Sequence, residues 1–156
     1  MTVRRSRAAY LCMGGRKPRP AKPCRARTLD KVPLISVIDG NAAICAAVEN
    51  LVRSLGFDVR TFSSAGEFLL SPHRHDTACV ISDVQMPDMS GIELQQYLAA
   101  EGDTTPIMFI TAFANERIRT QAMRAGAISF LFKPFTVTAL FDGLQQALGK
   151  WKPTVH

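Results

Sequence analysis

The chain has 156 residues, 47% of them hydrophobic and 21% charged, which suits one domain with a full core and leaves little room for two. No apolar run approaches the ~18 residues that a bilayer span requires, so no membrane association is expected. The net charge of +6 would point to nucleic acid, yet residues 1–31 hold ten Lys/Arg against one acid, whereas residues 32–156 hold nine against twelve.

The basicity therefore belongs to the N-terminal stretch, and the remainder is mildly acidic. Residues 1–32 interleave Arg4, Arg5, Arg7, Arg16, Lys17, Arg19, Lys22, Arg25 and Arg27 with Pro18, Pro20, Pro23, Gly14 and Gly15. Like charge and low hydrophobicity predict a disordered basic extension there. Its functional reading is nonspecific contact with nucleic acid or anionic lipid; its plain reading is a solvated extension. Cys12, Cys24, Cys45 and Cys79 form no CxxC pair and no metal-ligand spacing. Buried or free thiols in a reducing, cytoplasmic setting are expected.

From residue 33 to about 150 the texture becomes alternating strands and helices, with 151–156 a short tail. Leu34–Ile38 is an apolar strand delivering Asp39 at its end. Asn41 caps a helix whose apolar positions Ile44, Val48, Leu51, Val52 and Leu55 recur at helical spacing, and Gly56 terminates it. Phe57–Phe62 alternates as a second strand. Ser64 and Glu67 have capping-box spacing for a second helix, which Pro72 and His73–Asp76 end. His73 and His75 read as solvated loop residues. Ala78–Ser82 is the third strand and delivers Asp83; a Pro/Gly-containing loop follows, then a helix over Gly91–Ala100. Pro106–Thr111 is the fourth strand, Asn115–Arg124 an amphipathic helix closed by Gly126, Ile128–Phe132 the fifth strand, and Val137–Leu148 the last helix.

Five short, nearly all-apolar strands alternating with five helices predict an α/β fold, a parallel sheet covered on both faces. The C-terminal ends of its strands share one edge, where ligands of open α/β sheets bind. Asp39, Asp83, Thr111 and Lys133 are expected there. Two carboxylates suit Mg²⁺, which takes oxygen ligands and keeps several waters. An ammonium and a hydroxyl suit a phosphoryl group, with Asp83 as its nucleophile.

The segments VIDG (37–40), ISDVQMPDMSG (81–91), IMFIT (107–111) and FLFKPF (130–135) stand in the order and spacing of the response-regulator receiver domain. From about Val32 to Leu148 the chain resembles that family, and within it the FixJ/NarL-type receivers. The resemblance implies a flavodoxin-like (βα)5 fold and two-component phosphorelay signalling. It implies Asp83 as phosphoacceptor, with Asp39, Asp83 and the Gln85 backbone carbonyl as Mg²⁺ ligands. Thr111 and Lys133 would contact the phosphoryl group, and Thr111 and Phe130 would act as the switch pair. The signal would pass through the face of helix four, strand five and helix five; buried core is the plainer reading of Phe130. Met86, Pro87 and Gly91 match the pocket-shaping loop, and Lys133-Pro134 matches a peptide bond usually cis. Implied partners are a histidine kinase or phosphotransfer protein upstream and a protein partner downstream. Dimerisation on phosphorylation is left open.

Two departures qualify the resemblance. The family carries two adjacent acids after its first strand, and here the pair is Asp39-Gly40, so weaker Mg²⁺ binding and slower phosphorylation are expected. Asn41 is adjacent, either as a substitute ligand or as a helix cap. The alternative to a working phosphorelay module is a pseudo-receiver that binds partners without phosphate. Second, only eight residues follow Leu148, so no helix-turn-helix and no sequence-specific DNA binding is expected. An independent enzyme is not expected either, because no general base stands out beyond the acids.

Overall fold

The computed structural model describes residues 32–113 and 115–149. The expectations for residues 1–31 and 150–156 lie outside the described residues.

Five strands, β1 (Leu34–Ile38), β2 (Asp58–Phe62), β3 (Thr77–Ser82), β4 (Ile107–Thr111) and β5 (Ser129–Phe132), form one parallel sheet in the order β2-β1-β3-β4-β5. Helices α1 (Ala42–Ser54), α2 (Ala65–Leu69), α3 (Gly91–Ala100), α4 (Glu116–Arg124) and α5 (Val137–Leu148) supply the connections. The α/β fold expected from the alternation is thus the observed one. A single 3₁₀ turn over Arg74–Asp76, absent from the sequence reading, links α2 to β3.

The sheet divides the core into two layers. Along β4, Ile107 and Phe109 pack on the side that carries Phe68, Leu94, Leu98 and Phe130. Met108 and Ile110 pack on the other, with Val48, Val52, Leu140 and Leu144. Successive strand side chains point to opposite faces, so a centrally placed strand is buried on both faces and mostly apolar, with a few polar residues such as Ser36, Ser82 and Thr111 buried among the rest. β4 is buried along its whole length. β2 has the same parallel pairing but lies at the edge, and only Val59 and Phe62 of its five residues are buried. This is why the strand DVRTF carries three exposed polar residues while IMFIT is apolar up to its last position.

Helix ends follow local chemistry. Asn41 Oδ1 accepts from the Ala43 and Ile44 N–H groups at 2.9 and 3.2 Å, which commits that oxygen to capping α1. The box expected at Ser64 and Glu67 is half formed. Ser64 Oγ accepts from the Glu67 N–H, but the Glu67 carboxylate accepts from the N–H and hydroxyl of Ser63 instead. A complete capping box occurs at Ser90 and Glu93, where α3 begins. Gly56 and Gly126 follow α1 and α4 with φ of 100° and 106°, a conformation that glycine adopts without steric cost.

Candidate functional site at the sheet edge

Parallel strand direction places the ends of β1, β3, β4 and β5 side by side, and their terminal residues meet there. The Asp83 N–H donates to the Ile38 carbonyl at 3.0 Å, and the Lys133 N–H donates to the Thr111 carbonyl at 2.8 Å. Backbone bonding therefore carries the register past the strands and seats both residues. The Lys133-Pro134 peptide bond is cis, as the family resemblance implied.

Lys133 Nζ donates to Asp39 Oδ2 at 3.1 Å and lies 3.8 Å from Asp83 Oδ2. Side-chain exposures of 8%, 15% and 16% for Asp39, Asp83 and Lys133 put this triad in a shallow, mostly desolvated cleft. One ammonium faces two carboxylates, so an excess negative charge remains, and the site favours a further cation. Each acid has one oxygen held by local backbone. Asp39 Oδ1 accepts from the Asn41 N–H at 2.8 Å, and Asp83 Oδ1 from the Gln85 N–H at 3.3 Å. The oxygens nearest Lys133 are the Oδ2 atoms.

Thr111 is buried, and its Oγ1 accepts from the Phe113 N–H at 3.1 Å. Its own hydroxyl proton is thereby left to donate elsewhere. Phe130 is also buried; its ring centroid lies 5.8 Å from that of Phe109 and 5.5 Å from that of Phe132. Gly91 lets the loop after β3 close over the sheet. A Cβ there would stand 2.4 Å from the Asp83 carbonyl oxygen and 2.8 Å from the Phe109 ring.

The position of the absent second acid is open. A Cβ built at Gly40 would meet Pro87 Cδ at 3.5 Å and the Ser63 carbonyl at 3.9 Å, ordinary contact distances. Glycine is thus not imposed by crowding. With Asn41 spent on the helix cap, the described residues contain no cluster of three or more His, Cys, Asp or Glu groups able to hold a metal. The carboxylates of Asp39 and Asp83, both facing Lys133, are the oxygen donors that these contacts bring together. Mg²⁺ is often held by one or two carboxylates and waters, so the set fits that ion in a reduced form.

The described cysteines are outside this chemistry. Burial pushes the Cys79 thiol up to about 12. Burial first, and the Asp39 carboxylate second, raise Cys45, whose Sγ donates to the Asp39 carbonyl at 3.2 Å. His73 and His75 lie away from the triad, and His73 Nδ1 is 3.9 Å from Asp76. Two polar residues escaped the sequence reading. Arg74 has a largely buried side chain that pairs with Glu101 and lies 3.7 Å from Asp103, tying the 3₁₀ turn to the end of α3. Gln95, buried on α3, donates from Nε2 to the Ala122 carbonyl in the last turn of α4 at 3.1 Å. Only a polar residue among Ile92, Leu94 and Leu98 hinted at the second.

Comparison with known proteins agrees with this geometry. Residues 35–145 match the response regulator receiver domain family. The response regulator protein TodT of Pseudomonas putida F1 is 38% identical over 119 residues, 76% of this chain and 52% of TodT. The transcriptional regulatory protein FixJ of Bradyrhizobium diazoefficiens is 35% identical over 119 residues, 76% of this chain and 58% of FixJ. The chain thus spans little more than half the length of these relatives. Among solved structures, the response regulator StyR superposes with a TM-score of 0.70 at 43% identity, covering 76% of this chain and 60% of StyR. A receiver domain protein from Clostridium thermocellum gives 0.70 at 25% identity, covering 76% of this chain and 96% of that one. With the sheet order, the edge triad and these similarities in agreement, the chain belongs to the response regulator receiver domain family of two-component signalling proteins.

Proposed function

We propose that this receiver accepts a phosphoryl group on Asp83 from a histidine kinase or phosphotransfer protein and passes the signal to a protein partner. The observation that carries the reading is the meeting of Asp39, Asp83 and Lys133 at one sheet edge, with Lys133 Nζ 3.8 Å from Asp83 Oδ2. In the transfer, a carboxylate oxygen of Asp83 attacks phosphorus as the phosphorus–nitrogen bond to the donor imidazole breaks, and that nitrogen keeps the electron pair. Lys133 balances the charge brought in by the phosphoryl oxygens, and the Thr111 hydroxyl supplies a hydrogen bond. Asp39, Asp83 and the Gln85 carbonyl are the groups that would hold Mg²⁺, which supplies further charge neutralisation when bound.

Readout follows from the same hydroxyl. Thr111 Oγ1 now accepts from the Phe113 N–H at the entrance to α4, so turning it toward the phosphoryl group shifts the balance of the β4–α4 loop. Phe130, packed between Phe109 and Phe132, is the neighbouring ring able to follow on the α4–β5–α5 face. The test is incubation of the full chain with acetyl phosphate and Mg²⁺, followed by intact mass. Wild type is expected to gain one phosphoryl group and Asp83→Asn none; equal labelling of both overturns the assignment.

A second reading has one observation in its favour, the absence of a side chain at Gly40 and so of a third carboxylate. It makes the domain a constitutive interaction module. Failure of the wild type to label, with labelling restored in Gly40→Asp, would establish that reading instead.

A further inference from the structure

Cations in this domain are concentrated on one helix. Residues 32–149 contain seven Lys/Arg and twelve Asp/Glu, and three of the seven, Arg117, Arg119 and Arg124, lie on α4. Most of the others are engaged. Arg53 pairs with Glu49, Arg74 with Glu101, and Lys133 with Asp39. On α4, Arg119 reaches Glu116 at 3.5 Å, whereas neither the Arg117 nor the Arg124 guanidinium has an ion-pair or hydrogen-bond partner among the described residues.

Spacing then selects a stripe. Arg117, Thr120, Gln121 and Arg124 follow the i, i+3, i+4, i+7 pattern of one helical face, and they line an open groove with a volume of about 570 Å³. All four are exposed. α4 itself buries only Ala122 fully and packs Ile118 partly against the core. A helix this polar gains little from its own packing, so its outer face is free to be specified by a partner. Phe113, just before the helix, and Met123, three residues on from Thr120, add exposed apolar surface at 42% and 38%, and Arg, Met and aromatic residues are enriched where proteins meet.

We infer that the Arg117–Arg124 face of α4 docks an acidic segment of a partner protein. This rests on the reading of the domain as a phosphorelay receiver for its regulation, and deepens it by giving the downstream partner a charge. The observation that favours a protein segment over nucleic acid is the acidic remainder of the domain. A polyanion extending past α4 meets a remainder of the domain with four Lys/Arg and eleven Asp/Glu, whereas a short acidic segment meets only the stripe.

The probe is an 18-residue helical peptide with glutamates at i, i+3, i+4 and i+7, titrated into the ¹⁵N-labelled full chain. Residue-resolved amide shifts are needed, since the arginines among residues 1–31 attract the same peptide. The expected result is saturable shifts over Glu116–Ala125, with a midpoint at least tenfold weaker in Arg117→Glu/Arg124→Glu. That double variant is expected to shift instead with a peptide carrying lysine at the same positions, which excludes a folding defect as the cause. Unmoved α4 amides, equal midpoints in the two proteins, or stronger shifts at these amides from a DNA duplex of similar length would overturn the proposal. Repeating the titration after acetyl phosphate treatment separates the two readings. An unchanged midpoint refutes regulation through Asp83 and leaves the surface standing, whereas silent α4 amides in both states refute the surface alone.

Discussion

Restoring an acid at Gly40 is the most informative perturbation of the site. A Cβ is accommodated there at ordinary contact distances, with Pro87 Cδ at 3.5 Å, so Gly40→Asp introduces charge without strain. Its first effect, without metal, is unfavourable. A third carboxylate joins Asp39 and Asp83, opposed by Lys133 alone, and like charges a few Å apart at a partly exposed site cost on the order of 1–3 kcal/mol. Its second effect, with Mg²⁺, is favourable. Gross attraction between a carboxylate and a dication at about 4 Å amounts to several kcal/mol at an effective dielectric of about 20. Desolvation cancels much of this, and a net of about 1.4–2.8 kcal/mol corresponds to a roughly 10–100-fold gain in Mg²⁺ affinity. Thermal unfolding and calorimetric Mg²⁺ titration of both proteins read the two effects separately. The expected pattern is a lower Tm for Gly40→Asp in chelator and a larger rise in Tm on adding Mg²⁺. Identical Mg²⁺ affinities in the two proteins would refute the reasoning, because they would mean that position 40 does not face the ion.

Other outcomes follow from the same geometry. Gly91→Ala places a methyl 2.4 Å from the Asp83 carbonyl oxygen and is expected to lower stability by about 2–4 kcal/mol in denaturant unfolding, since backbone and not a flexible side chain must yield. Lys133→Met leaves Asp39 and Asp83 without a counter-charge; it is expected to abolish acetyl phosphate labelling and raise Mg²⁺ affinity severalfold, by mass spectrometry and calorimetry. Asn41→Ala removes both acceptor bonds at the start of α1 and is expected to cost about 1 kcal/mol by the same unfolding assay. Phe113→Ala removes an exposed ring two residues beyond Thr111 and is expected to shorten the aspartyl-phosphate half-life; an unchanged half-life would assign the ring no part in excluding water.

Much of this protein was legible from local pattern. Apolar runs such as IMFIT and helical spacing such as Ile44–Val48–Leu51–Leu55 report the environment that each segment needs, because burial acts on every residue of an element at once. The alternation of those elements was enough to name the fold class, and the residues after each strand were enough to name Asp39, Asp83, Thr111 and Lys133 as neighbours. The complete capping box was less legible, because Ser63 competes for the Glu67 carboxylate and Ser90 does not face such competition.

Tertiary structure decided what depends on distance through space. Only the sheet order makes β2 an edge strand, and only the seated loop after β5 brings Lys133 within 3.1 Å of Asp39, 94 positions earlier. The same holds for Arg74 against Glu101 and for Gln95 against Ala122. It also holds for Arg117 and Arg124 of α4, whose lack of ion-pair or hydrogen-bond partners among the described residues is a property of what surrounds them. At Gly40 the sequence shows that a carboxylate is missing, and the structure adds that a side chain there would meet Pro87 and the Ser63 carbonyl only at ordinary contact distances. Composition and periodicity record the average surroundings of a residue. Pairings between remote polar groups depend on a few specific contacts, and these exist only once the chain has folded.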